Sequence, residues 1–132
     1  MFTENEIAYI RSQRLARIAT VNADGQPDVV PVGYEFDGTN FYIGGRFLPQ
    51  TRKFKNILAG RTKIALVIDD LVSVDPWTPR SIRVYGTAEP VEMNGRFGPG
   101  MYLRVTPKVS WSWAIDNETA YARPQKTVHS GK

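Results

Sequence analysis

The chain is predicted to be mainly β (α+β): an antiparallel barrel of six or seven strands with two short helices. Three observations carry that expectation. Asp24-Gly25 and Asp37-Gly38 stand between apolar runs at hairpin spacing. Residues 81–91 alternate, with Ile82, Val84, Gly86 and Ala88 on one face and Arg83, Tyr85, Thr87 and Glu89 on the other. Helix signals are confined to two short stretches, so strands must supply most of the core.

Taken in order, Thr3-Glu4-Asn5-Glu6 is a capping box, with Phe2 and Ile7 placed as a hydrophobic staple, and predicts a helix to about Gln13. Strands follow at Leu15–Val21, Asp28–Phe36 and Phe41–Ile43, joined by the two Asp-Gly turns. A second helix is expected from Gln50 to Leu58, closed by Gly60 in the left-handed position that favours glycine. Lys63 to Ile68 reads as an apolar strand ending at Asp69-Asp70. Val72 to Pro79, with Pro76 and Pro79 around Trp77, reads as a loop. A strand at Ser81–Val91 and a Gly/Pro loop at Asn94–Gly100 come next. The last strands, Met101–Val105 and Val109–Ile115, are expected to break at Pro107. Beyond about residue 117 the pattern fades into a polar, flexible tail. The 132 residues make one domain, 1–132, with no internal repeat.

Composition narrows the chemistry. Hydrophobic content of 42% and charged content of 23% describe a globular chain without a membrane-spanning run. Zero cysteines exclude disulfides and thiolate chemistry and fit a cytoplasmic location. The lone His129 lies near a C-terminus that reads as frayed, so no metal site is expected, and Ser73, Ser81, Ser110 and Ser112 lack a histidine to activate them. The adjacent Asp69 and Asp70 read as turn residues rather than an acid/base couple. The net charge of +4, spread along the chain without a basic block, permits nucleic-acid binding without demanding it, and an anionic small molecule accounts for it just as well. No nucleophile, base or metal set is evident, so no catalytic residue is assigned. An enzyme of this kind borrows its chemistry from a cofactor.

The stretch Thr51-Arg52-Lys53-Phe54-Lys55-Asn56-Ile57 is the candidate anchor for that cofactor. It follows Gly44-Gly45 and gathers three cations and two hydrogen-bonding groups at a helix start. The helix dipole disfavours cations there, which points to an anion as their partner; a solvated basic face is the alternative. Trp77 and Trp111 offer either core packing or a flat wall for a planar ring. Arg80 and Arg83 flank one strand and are either solvated or aimed at an acidic ligand. Pro31, within Val29-Val30-Pro31-Val32, cannot donate to a ladder. Its strand must lie at an edge, be bulged, or be approached by another group.

The order of Arg14-Leu15-Ala16-Arg17-Ile18-Ala19-Thr20-Val21, Val30-Pro31-Val32, Lys53-Phe54-Lys55-Asn56-Ile57, Ala65–Asp70 and Pro79–Ala88 resembles the pyridoxamine 5′-phosphate oxidase-like flavin-binding split-barrel family. Within it, the chain is similar to the branch that uses the deazaflavin coenzyme F420. The segment Arg104–Trp111 is similar to the sub-branch with tetracycline-pathway reductases. The resemblance implies a split β-barrel and a homodimer with the cofactor at its interface. It implies F420, or alternatively FMN, and hydride transfer to an unsaturated small-molecule substrate. It places the phosphate grip on Lys53 and Asn56, supported by Thr51, Arg52 and Lys55. Ring-side contacts fall on Val30, Pro31 and Val32, and partner-side contacts near Trp77, Arg80 and Trp111. A non-catalytic flavin or F420 carrier of the same fold is the other reading. No nucleic acid or membrane partner is implied.

Overall fold

The computed structural model describes residues 1–116 and 123–129; part of the expected flexible tail lies outside them. The elements are α1 (Glu4–Ser12), β1 (Leu15–Val21), β2 (Pro27–Gly33), β3 (Glu35–Phe36), β4 (Phe41–Ile43), α2 (Arg52–Leu58), β5 (Lys63–Ser73), β6 (Thr78–Gly95), β7 (Gly98–Trp113) and β8 (Gln125–Val128). The strands form one antiparallel sheet in the order β2-β1-β5-β6-β7-β4-β3, with β8 added on β7. β2 and β3 lie at opposite ends of that order, yet only Tyr34 separates them in the chain. The sheet must therefore curl until its ends meet, which is a barrel.

Local signals set both helices. Thr3 Oγ1 accepts from the Glu6 N–H at 3.1 Å, and the Glu6 carboxylate accepts from the Thr3 N–H at 3.0 Å, completing the capping box. α2 starts at Arg52, with Leu48–Gln50 in a separate 3₁₀ turn, because Thr51 takes the N-cap. It ends in a Schellman motif: Gly60 has φ +100°, its N–H reaches the Ile57 carbonyl, and the Arg61 N–H reaches the Asn56 carbonyl.

Alternation sets the core. Ile64, Leu66 and Ile68 of β5, Ile82, Val84 and Ala88 of β6, and Leu103 and Val105 of β7 point inward against Ile10, Ile18, Phe41 and Ile43. Apart from the small Ala88, each such side chain contributes roughly 1.5–3 kcal/mol when fully buried. The predicted outer row Arg83, Tyr85 and Glu89 is exposed.

Several boundaries differ from expectation. The strand expected at Asp28–Phe36 is two strands, because the chain turns a corner at Tyr34, whose hydroxyl donates to the Ile10 carbonyl at 2.6 Å. The expected loop at residues 72–79 shrinks to a short turn, since Ser73 pairs with Thr78. The loop at 94–100 likewise closes to Arg96-Phe97 between paired Gly95 and Gly98. There the Tyr102 hydroxyl accepts from the Gly95 and Phe97 N–H groups and donates to the Gly98 carbonyl.

Pro107 does not break β7. Along one edge, β4 pairs with Leu103–Val105 and β8 with Val109–Ser112, so Pro107 falls in the gap between them. Towards β6 the register shifts between Tyr85 and Gly86. A side chain at Gly86 would run into the Thr106 carbonyl oxygen, so the strands approach there as only glycine permits.

The region expected to fray contains β8. The His129 N–H donates to the Lys108 carbonyl at 2.8 Å, its Nε2 lies 2.8 Å from Ser110 Oγ, and its ring packs tilted against Phe2, the centroids 4.4 Å apart. Burial and the nearby positive N-terminus hold the His129 pKa below its ordinary value. Ser110 thus does meet a histidine, contrary to the sequence reading. Being only 1% exposed, it offers no surface for a substrate, and the pair fastens β8.

Candidate functional site

α2 packs on β1 through Asn56. Its amide Nδ2 donates to Thr20 Oγ1 at 3.0 Å, and both residues are buried. Phe54 and Ile57 anchor the same helix face in the core. That geometry turns Arg52 and Lys55 to the exposed face and aims them at a cavity of about 450 Å³. Asn22, Gln26, Pro27, Asp28 and Asn56 complete its lining. Asn22 is held in place by its own turn, its Oδ1 accepting from the Asp24 and Gln26 N–H groups at 2.9 and 3.0 Å.

Lys53 is half-buried beside the same region. Burial lowers its pKa, partly offset by the attraction of Asp28. The Thr51 hydroxyl is engaged by the helix itself, accepting from the Phe54 N–H at 3.3 Å and donating to the Leu48 carbonyl at 2.7 Å. A seven-residue helix has a small dipole, so the attraction for an anion comes from the side-chain cations more than from the helix end.

β2 is an edge strand, which explains Pro31: a residue without an N–H is tolerated where the ladder has a free side. Pro31 is exposed, Val32 is buried in the core and Val30 packs against it. The same strand carries Asp28 and Pro27 to the cavity beside α2.

Among the predicted residues, Arg52, Lys55 and Asn56 share one cavity, with Thr51 and Lys53 on the helix that forms it. Trp77, Arg80 and Trp111 are not brought to that cavity. Trp77 is 62% exposed at the turn between β5 and β6. Arg80 is bound to Asp70, its Nε and Nη2 donating to the two carboxylate oxygens at 3.1 and 2.7 Å, while its guanidinium covers the Tyr9 ring at 4.8 Å. Asp70 also accepts from the Tyr9 hydroxyl at 2.8 Å. Arg80 foremost, with Tyr9, holds the Asp70 pKa below its ordinary value; burial and the carboxylate raise that of Tyr9. Asp69 pairs with Arg17. The two aspartates therefore lie within β5 as ion-pair partners and are not turn residues.

Sequence reasoning missed a second cavity, of about 510 Å³, on the outer face of the sheet. Ala19, Val21, Pro27, Ala65 and Tyr85 line it, with the exposed Lys63 and Lys108 beside them. Pro27 lines both cavities, so the polar one against α2 and the apolar one on the sheet are neighbours. The alternation of residues 81–91 placed Tyr85 outward, but only the register of β1, β5, β6 and β7 assembles the rest. Among the described residues, no helix is long and apolar enough to cross a membrane.

Comparison with known proteins gives three kinds of likeness. The sequence profile described as pyridoxamine 5′-phosphate oxidase matches residues 2–124. A 5a,11a-dehydrotetracycline/5a,11a-dehydrooxytetracycline reductase of Streptomyces rimosus subsp. rimosus is 36% identical over 124 residues, covering 89% of this chain and 86% of that protein. The crystal structure of general stress protein 26 from Bacillus anthracis aligns with TM-score 0.70 at 16% identity, over 96% of this chain and 97% of that one. A solved F420 reductase aligns with TM-score 0.59 at 22% identity, over 74% and 88%. At such identities the two structures establish the fold, which is the split barrel.

Proposed function

The chain belongs to the pyridoxamine 5′-phosphate oxidase family, and we propose on that premise that it is an F420-dependent oxidoreductase acting on an unsaturated small molecule. The observation that carries this reading is the pair of neighbouring cavities meeting at Pro27. One presents cations and amides suited to a phosphate, and the other an apolar floor suited to a planar ring. The reductase relative, similar over most of both chains, supports hydride transfer as the reaction class.

The residues present fit such a coenzyme. Arg52 and Lys55 would hold its phosphate, with Lys53 adding positive charge and Asn56 and Gln26 available to its hydroxyls. When bound, the coenzyme supplies the hydride. The chain itself positions the reactants and keeps water from the apolar floor. No side chain is assigned as proton donor. The acidic tail of the deazaflavin favours it over FMN on a chain of net charge +4, whose neighbouring groove is rimmed by Lys63 and Lys108.

We place the homodimer contact on the outer sheet face. Val29, Ala19, Ala65, Tyr85 and Val109 lie on one continuous register row across five strands there, with Val29 63% and Tyr85 46% exposed. A second barrel laid against this face would close the open groove into a cleft.

Fluorescence titration with F420 and FMN tests the reading. Saturable binding of F420 is expected, weakened about tenfold or more by Lys53→Ala and by Arg52→Ala combined with Lys55→Ala. Absence of binding by either coenzyme, or unchanged affinity in both variants, would overturn it. Reoxidation of the reduced coenzyme by enones separates an enzyme from a carrier, which would bind without turnover.

A further inference from the structure

We propose that His129 is a pH-sensitive catch for β8: the neutral imidazole keeps this strand on the edge of β7, and protonation releases it. The inference goes beyond the proposed reaction and does not depend on it. β8 covers the edge of β7 from Val109 to Ser112 through a ladder of four residue pairs. Gln125, Lys126 and Val128 are exposed, so apolar burial within the strand does little to hold it. Its hold therefore rests on its two ends.

At the first end the Gln125 amide donates to Asp116 Oδ2 at 2.9 Å, the oxygen that also accepts from the Thr3 hydroxyl at 2.8 Å. A Glu6 carboxylate oxygen lies 3.5 Å from the same amide. The acidic groups are thus gathered at the Gln125 end. At the other end the half-buried His129 ring packs on Phe2 and Ser110, which are 4% and 1% exposed. The charges there are the positive N-terminus and Lys108, whose carbonyl takes the His129 N–H. Among the described residues no carboxylate pairs with the imidazole.

A neutral imidazole suits that place, because Nε2 and Ser110 Oγ can form their 2.8 Å hydrogen bond in either direction. A second proton brings a charge into a half-buried site that offers no carboxylate partner, and burial penalises it. A ring face attracts a cation weakly. Burial and the N-terminal charge act the other way and hold the His129 pKa below its ordinary value. A base whose pKa is lower in the docked strand than in the free one binds its proton more readily when free. Docking is therefore strongest above the free value near 6.5 and weakens as pH falls through it. Release opens the edge of β7 beside Lys108, which lines the outer-face groove.

His129 is the one histidine of the chain, so proton NMR can follow its imidazole directly while amide exchange of β8 is measured on the whole chain. Exchange is compared at pH values of about 7.5 and 5.5, a range in which histidine is the side chain that ordinarily titrates. Protection of the β8 amides, relative to the free-chain rate at each pH, is expected to fall about fivefold to tenfold. The amides of Leu66 and Val84 in the core strands should keep theirs. The imidazole itself should titrate below about 6.5. His129→Gln keeps a hydrogen-bonding group near the Nε2 position and cannot ionise, so β8 protection should become independent of pH. Equal β8 protection at both pH values in the unaltered protein would overturn the inference, as would an imidazole titrating at or above about 6.5. Neither result needs a variant. A pH dependence that persists in His129→Gln would assign the release to another group and sink the proposal.

Discussion

Replacing Thr20 with valine exchanges a buried hydroxyl for a methyl group of nearly the same volume and leaves the Asn56 amide without its acceptor. Thr20 is 1% exposed and Asn56 7%, and the bond between them measures 3.0 Å. A buried neutral hydrogen bond contributes about 1 kcal/mol net, and a stranded buried donor costs about 1–3 kcal/mol. Thr20→Val should therefore destabilise the fold by about 1–2 kcal/mol. Asn56→Ala loses the same bond and also the packing of its side chain, so about 2–3 kcal/mol is expected. Because the two residues share one interaction, the double variant should fall about 1 kcal/mol short of the sum of the singles. Equilibrium urea unfolding measures this, provided the slope with denaturant stays constant. A loss of less than about 0.3 kcal/mol for Thr20→Val, or full additivity of the two changes, would refute the view that this bond fastens α2 to the barrel.

Two further outcomes follow from the geometry. Asp70 has its pKa lowered in the folded chain, foremost by Arg80, so its contribution to stability is present above the unfolded-state value near 4 and is lost as pH falls below it. Acid titration of thermal unfolding should show this slope, and Asp70→Asn should flatten it; an unchanged profile would mean that the Tyr9–Asp70–Arg80 cluster adds nothing. Gly86→Ala forces a methyl against the Thr106 carbonyl oxygen of the neighbouring strand, and a loss of about 3 kcal/mol is expected in urea unfolding. A nearly neutral result would show that the bulge relaxes freely.

The features legible in the chain were those whose physics is local. The capping box at Thr3 and the Schellman closure at Gly60 each involve residues within about one helical turn, so their identities suffice to state them. Alternation in residues 81–91 likewise separated core from surface before any partner strand was known. Strand length was less legible, because Ser73, Thr78, Gly95 and Gly98 extend the strands only by pairing with one another across a turn. β8 was missed for a related reason. Its four residues carry little pattern of their own and are strand only because β7 offers an edge.

The candidate site divides along the same line. The cluster of Arg52, Lys53, Lys55 and Asn56 is contiguous, so its charge was visible in the chain. The sequence could not show that Asn56 points inward to Thr20 while Arg52 and Lys55 face Asp28 across a cavity. Arg80 and Arg83 looked alike as neighbouring arginines of one strand. Tertiary structure gives one a carboxylate and the other two aromatic rings, because only strand register decides what stands opposite each. What this sequence determined by itself was the kind of elements and the presence of a short basic helix, since propensity, capping and alternation act between near neighbours. Which cation is neutralised, which packs on aromatic rings, and that the two cavities meet at Pro27 were decided only when the barrel closed, because those relations join residues that the chain holds far apart.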